Sequence, residues 1–224
     1  MEQAYLRQKF VHDAGLPIPA VYGIKKLSET ETALEMEYIE GQPLVAMYQG
    51  KGEAELLEAQ RVMVKLQCRM YAIDAPGLPD LTGMYAQEIT STPHLTEHLK
   101  EILLARMKSL DKGKRKLCHG DIHPYNIMYS GDKSWIIDWE DASKGDPAAD
   151  ACMAYFYSMR WAAKGNNRSH EQYLRLFCGE SGIAREDVLA WLPVIAGVQV
   201  NINDDKDCAF ISNFIDEWYK GEAL

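Results

Sequence analysis

Long apolar runs, paired cysteines, low-complexity tracts and an excess of positive charge are all missing from this sequence of 224 residues. No apolar stretch approaches the roughly 20 residues that a bilayer-spanning helix needs. The opening MEQAYLRQKF has no apolar signal core and reads instead as helix. A cytoplasmic protein that does not enter membranes is the expectation. The five cysteines, Cys68, Cys118, Cys152, Cys178 and Cys208, are odd in number and scattered, with no C-x-x-C pair among them. That argues against a disulfide framework or a structural zinc site and fits a reducing compartment. Acidic side chains outnumber basic ones by 33 to 24, for a formal net charge of −9. Such a balance disfavours nucleic acid and favours a cationic substrate, although solubility alone accounts for many acidic surfaces. Internal repeats and Gly/Ser linkers are missing too, so the chain reads as one core or as a large lobe with a small appendage.

What is present falls into a clear order. Residues 2–14 are helical, and Gly15 followed by Leu16-Pro17-Ile18-Pro19 stops that helix. Strands are expected at Val21–Lys26 and Ala33–Ile39 around the polar turn Ser28-Glu29-Thr30-Glu31, with Glu40-Gly41-Gln42-Pro43 breaking the second. From Ala54 to Ile73 the apolar residues Leu56, Ala59, Met63, Leu66, Met70 and Ile73 recur at spacings of three and four, the signature of a helix with one buried face. Residues Asp74–Pro93, rich in Pro, Gly and Thr, read as loop, and Leu95–Leu110 as helix. Three short strands follow, Lys116–Cys118, Asn126–Tyr129 and Ser134–Asp138, the last two joined as a hairpin by Ser130-Gly131-Asp132-Lys133. Helices are expected at Ala148–Ala163, Ser169–Gly179, Arg185–Asn201 and Asp205–Tyr219, with Pro193 kinking or splitting the third.

Polar residues concentrate between the short strands, in Cys118-His119-Gly120-Asp121-Ile122-His123-Pro124-Tyr125-Asn126 and in Ile137-Asp138-Trp139-Glu140. Phosphoryl transfer needs a carboxylate beside the attacking hydroxyl and oxygen ligands for magnesium on the phosphates. Asp121, on a loop after a strand, suits the first task. Asn126, five positions on, and Asp138, at the end of the antiparallel partner strand, suit the second. His119 and His123 flank Asp121. One rival reading takes His119, Asp121 and His123 as a metal cluster of a hydrolase, but it leaves Asn126 and Asp138 without a task.

The pattern His119-x-Asp121-x-x-x-x-Asn126, with Asp138 at the position of the kinase metal-binding Asp, is the catalytic-loop pattern of kinases. The wording His-Gly-Asp-x-His-Pro-x-Asn, then Ile137-Asp138-Trp139-Glu140, then Gly145-Asp146-Pro147 and Asp150, resembles the aminoglycoside phosphotransferase and choline kinase family. The resemblance implies an α+β, protein-kinase-like fold. In it, residues 1–41 are the remnant of a small N-terminal β lobe with its hinge, and residues 42–224 are a large, mainly helical catalytic and substrate lobe built around a catalytic β-hairpin. It implies ATP and Mg2+ as cofactors, and a hydroxyl of an aminoglycoside-, choline- or sugar-like molecule as acceptor. Asp121 would be the catalytic base or orienter, with His119 holding the loop, and Asn126 and Asp138 the metal ligands. Glu37, Tyr38 and Ile39 would form the hinge that meets the adenine. His123, Glu140 and Asp150 would touch substrate or brace the loop, Asp150 the latter. Tyr71, in Met70-Tyr71-Ala72-Ile73-Asp74, stands where the family commonly has His.

The sequence also departs from that family. It contains no G-x-G-x-x-G phosphate loop, and it opens in the helix where Glu2 is the best candidate partner for the strand Lys of relatives. The resulting expectations are an incomplete nucleotide-binding lobe, weak ATP binding and self-association through the N-terminal region. A catalytically silent binding module of the same fold is the principal alternative. Asp204, Asp205 and Asp207 are candidates to meet a cationic substrate, or else a solvated helix start.

Overall fold

The structure, a computed structural model, describes residues 1–165, 169–201 and 205–222. Helix α1 (Glu2–Asp13) ends where Gly15 adopts φ +80°, a left-handed turn that costs glycine little. Strands β1 (Val21–Lys26) and β2 (Thr32–Met36) form an antiparallel hairpin. Its turn is tied by Ser28 Oγ, which accepts from the amides of Thr30 and Glu31 at 3.3 and 3.1 Å. The chain then passes residues 37–41 into β3 (Gln42–Pro43), which pairs with a later strand. Gly41 is required at this crossing, because a Cβ there would lie 2.6 Å from the carbonyl oxygen of Tyr129.

Helix α2 (Glu53–Tyr71) is closed at its start by Glu55, whose carboxylate accepts from the Gly52 amide at 3.2 Å. It buries the predicted stripe of Ala59, Met63, Leu66 and Met70. Helices α3 (Leu81–Ser91) and α4 (Glu97–Leu110) follow, and Thr96 caps α4 by accepting from the Leu99 amide. Strand β4 (Lys116–Cys118) pairs antiparallel with β7 (Ser143–Gly145). Between them, β5 (Ile127–Ser130) and β6 (Lys133–Ile136) form a hairpin whose other edge carries β3. The C-terminal helices are α5 (Pro147–Gly165), α6 (Ser169–Ser181), α7 (Arg185–Leu189), α8 (Leu192–Val198) and α9 (Asp205–Glu222). The core lies among α2, α5, α6 and α8, where Phe156, Tyr173, Phe177 and Trp191 are almost wholly removed from water. Burial of a side chain the size of Phe156 or Phe177 contributes roughly 2–3 kcal/mol.

Several sequence expectations need correction. Asp74–Pro93 is not all loop, because α3 occupies Leu81–Ser91 and buries Leu81, Tyr85 and Ile89. Gln42–Pro43 does not merely break a strand. It makes one, at a sheet edge where the missing proline amide is harmless. Asn126 ends a 3₁₀ turn (Pro124–Asn126) rather than starting a strand, and Asp138 lies two residues beyond β6. Strand β7 was not foreseen. Pro193 does divide its segment, sitting in the first turn of α8 after α7 has ended. Among the described residues no helix is long and apolar enough to cross a membrane. Asp204 lies outside the described residues, as do the side chains of Asp205 and Asp207.

Candidate active site

Because β4 pairs with β7 and the β5–β6 hairpin folds back between them, residues 119–126 and 137–142 run side by side. Backbone bonds fix the two segments. The Ile137 amide donates to Asn126 O at 2.9 Å, and the Asn126 amide donates to His123 O at 2.9 Å. His119 is fully buried at the junction. Its Nδ1 accepts from the Asp121 amide at 3.2 Å, so Nε2 carries the hydrogen and donates to Ile137 O at 3.0 Å. Its ring also lies 4.6 Å from that of Trp139. Burial lowers the His119 pKa to about 4, so the imidazole is neutral. With both nitrogens engaged, His119 has no lone pair for a metal, which removes the basis for a His-rich hydrolase centre. Among the described residues no group of three or more His, Cys, Asp or Glu is arranged to hold a metal.

Asp150, at the start of α5 and completely buried, accepts from the amides of His119 (3.1 Å) and Gly120 (2.7 Å) and from the Tyr71 hydroxyl (2.9 Å). Burial raises its pKa, and those three donors oppose the rise. Tyr71 is held in turn by Gln67, which also bonds Tyr173. Thus Tyr71 reaches the backbone of His119 and Gly120 through Asp150. Gly120 takes φ +86°, and a Cβ there would come within 2.7 Å of the Asp141 Cβ. No other residue fits that crossing.

Asp121 projects from this frame. Asn126 Nδ2 donates to its backbone oxygen at 2.9 Å and to its Oδ2 at 3.1 Å. His123 Nε2 lies 3.4 Å from the same Oδ2, and Tyr157 of α5 also donates to the carboxylate. Burial pushes the Asp121 pKa up, but the bonds from His123 and Tyr157 outweigh it, so Asp121 is held below its ordinary value and is ionised. The His123 ring is boxed edge-on by Tyr125, Tyr157 and Trp161 at 5.6–6.0 Å. Asp138 follows on exposed surface with φ +65°, the one non-glycine in the left-handed region among the described residues. Its pKa is raised by partial burial first, then by Glu140 and Asp121. Asp141 is raised for the same reasons, burial and then Asp121. Three carboxylates thus repel one another around Asp121, a field that attracts cations.

A cavity of about 320 Å³ opens beside Asp121. Leu81, Tyr85 and Glu88 of α3 form one wall, Tyr157 of α5 another, and Gln199 closes it after α8. Tyr85, Glu88, Asp141, Tyr157 and Gln199 were not singled out in the sequence. The four-residue spacing of Leu81, Tyr85 and Ile89 was a helical signal, obscured by neighbouring Gly, Thr and Pro. The remaining expected residues do not line the cavity beside Asp121. Glu37 bonds locally, its amide to Ala20 O (2.8 Å) and its carboxylate to the Ala20 amide (3.1 Å). Tyr38 is 88% exposed and Ile39 half-buried. Glu140 is exposed, its backbone oxygen contacted by Arg7 of α1. Glu2 is exposed in the first turn of α1.

A helical lobe carrying a buried His, a projecting Asp, an Asn and a second Asp on a β-hairpin defines a kinase-like phosphotransferase fold. The chain belongs to the phosphotransferase enzyme family (APH), whose pattern it matches over residues 2–190. No curated protein matches it in sequence. Among solved structures it resembles the apo form of a thermostable mutant of aminoglycoside phosphotransferase APH(4)-Ia, at 20% identity and TM-score 0.67, over 98% of this chain and 83% of that one. It also resembles APH(3'')-Id from Streptomyces rimosus in complex with ADP and streptomycin, at 20% identity and TM-score 0.64, over 88% and 81% of the two chains. A third likeness is to aminoglycoside-3'-phosphotransferase of type VIII, at 20% identity and TM-score 0.63, over 88% and 79%.

Proposed function

We infer that the chain is an ATP-dependent phosphotransferase that transfers a phosphoryl group to a hydroxyl of a small molecule of the aminoglycoside, choline or sugar kind, with a cationic one favoured. The observation that carries this reading is an ionised Asp121 at the wall of a cavity that also holds Glu88 and Asp141. A hydroxyl seated there would donate to Asp121, which aligns it and takes up its proton as the bond to phosphorus forms. The amines of the same molecule would face Glu88 and Asp141. His119, neutral and buried, positions the Asp121 backbone. Asp150 braces the loop by accepting from two of its amides.

Hard oxygen donors suit magnesium, and Asn126 and Asp138 supply them. The Asn126 amide nitrogen is spent on Asp121, which leaves its carbonyl oxygen for a cation. Asp138, whose pKa is raised by partial burial and then by Glu140 and Asp121, offers a carboxylate whose charge a cation would offset. Magnesium, when bound with nucleotide, neutralises charge on the phosphates. The segment Glu37–Ile39 is the proposed adenine contact. The N-terminal hairpin exposes Tyr22, Ile24, Leu27 and Met36 on a two-stranded sheet. This supports self-association through that edge.

The test is transfer from ATP with magnesium to streptomycin, hygromycin B and choline, read by ADP release and by the mass of the product. Asp121→Asn is expected to lower turnover at least about a hundredfold with the melting temperature little changed. Retained turnover in that variant overturns the assignment. Nucleotide binding with no transfer to any hydroxyl acceptor identifies a binding module instead.

A further inference from the structure

A second and larger cavity, about 550 Å³, meets α5 at Ser158 and Trp161, whereas the Asp121 cavity meets it at Met153 and Tyr157, and among the described residues none lines both. Its floor is the apolar face of α2 at Leu56, Ala59 and Met63, and its aromatic sides are Tyr48 and Trp161. Trp161 stays 37% exposed despite its size. At the bottom sits Gln60, only 7% exposed. Its Nε2 donates to Ser169 O at 2.8 Å, whereas its Oε1 is buried with no partner among the described residues. A buried carbonyl oxygen left unpaired is costly, and the groups that accompany one are normally a water or a ligand donor. Among the described residues the rim carries Lys51 and Arg175 against one carboxylate, Glu53, two basic groups to one acidic in a chain of net charge −9.

We propose that this cavity is a second small-molecule site, separate from the catalytic one, for a flat aromatic monoanion bearing an N–H donor. The volume falls in the range of ligand pockets, which are largely apolar with a few convergent polar groups. The ring lies between Trp161 and Tyr48 over the α2 floor, its N–H donates to Gln60 Oε1, and its carboxylate faces Lys51 and Arg175. The site borders the catalytic loop. Pro124 forms part of its wall, and the Trp161 ring lies 5.7 Å from that of His123, whose Nε2 is 3.4 Å from Asp121. Occupancy therefore acts on the side chains that hold Asp121, and the proposal stands whether or not the chain turns over.

The five tryptophans make a direct test. In full-length protein labelled with 5-fluorotryptophan, the Trp161 resonance is assigned by Trp161→Phe and followed during titration with indole-3-carboxylate. A saturable shift of the Trp161 signal is expected, with Trp139, beside His119, unmoved. Gln60→Met, which keeps the size of the side chain and removes its acceptor, should weaken binding at least about fivefold. Arg175→Gln, at an exposed position, should weaken it about threefold and serves if Gln60→Met does not fold. Indole, without the carboxylate, should bind more weakly than the acid. No saturable shift, a shift of Trp139 in place of Trp161, or affinity unchanged in both variants shows a solvent-filled cleft only and overturns the proposal.

Discussion

Single residues in this protein are set by their surroundings more than by their type. His119 is a histidine that does not titrate near neutrality, because it is buried and its Nδ1 is already an acceptor. The unfolded chain takes up a proton below about pH 6.5, whereas the folded chain resists protonation until about pH 4. Stability from this group is therefore complete above pH 6.5 and is lost as the pH falls toward 4, by up to about 3 kcal/mol. Denaturant unfolding of the parent and of His119→Asn across that window is expected to show a shallower decline in the variant. Equal slopes would mean that His119 is protonated in the fold. Asp138 has the opposite sign. Its folded pKa is raised, so its charge opposes folding at neutral pH and the fold gains stability as the pH falls through that raised value. Asp138→Asn should leave the melting temperature unchanged or higher, yet weaken magnesium-dependent nucleotide binding at least about tenfold. A lower melting temperature with unchanged nucleotide binding would remove Asp138 from the metal site.

Elements act here by holding loops at a distance from their own chain position. Asp150 on α5 grips Gly120, 30 residues earlier, and Tyr71 at the end of α2 grips Asp150. Tyr71→Phe removes one of three donors to a buried carboxylate and should cost roughly 1–3 kcal/mol. Because the loop stays tied by two amides, turnover should fall while KM changes less. An unchanged melting temperature would show that the hydroxyl does not contribute. The hairpin β5–β6 was legible in the sequence because alternating apolar residues and a Gly-Asp turn are local signals. Helix α3 was not, since Gly83 and the flanking prolines and threonines masked a stripe that only the packing of Leu81 against β7 makes useful. Strand β7 was hidden for a similar reason, as three residues with no alternation become a strand only when β4 lies beside them.

At the scale of the whole molecule, the β1–β2 hairpin exposes Tyr22, Ile24 and Met36, while the N-terminal region is anchored through Val11, Leu16 and Ile18 in the core and through the bond from Ile136 N to Pro17 O at 2.9 Å. A small sheet with this apolar face exposed should self-associate at high concentration. Light scattering of the parent against Ile24→Lys should show a concentration-dependent mass that the variant lacks, and a strict monomer in both would exclude that edge as an interface. The sequence alone marked the candidate loop, because His119, Asp121, Asn126 and Asp138 fall within twenty consecutive positions at the spacing of the kinase pattern. It also settled the helices whose apolar stripes are regular, since a period of 3.6 is a property of neighbours along the chain. Only the tertiary structure decided which residues close the cavity around Asp121, that Tyr71 reaches the 119–120 backbone through Asp150, and that a second cavity forms between α2, α5 and α6. Those features join side chains from separate helices, and no local pattern records a contact that forms only when the helices pack.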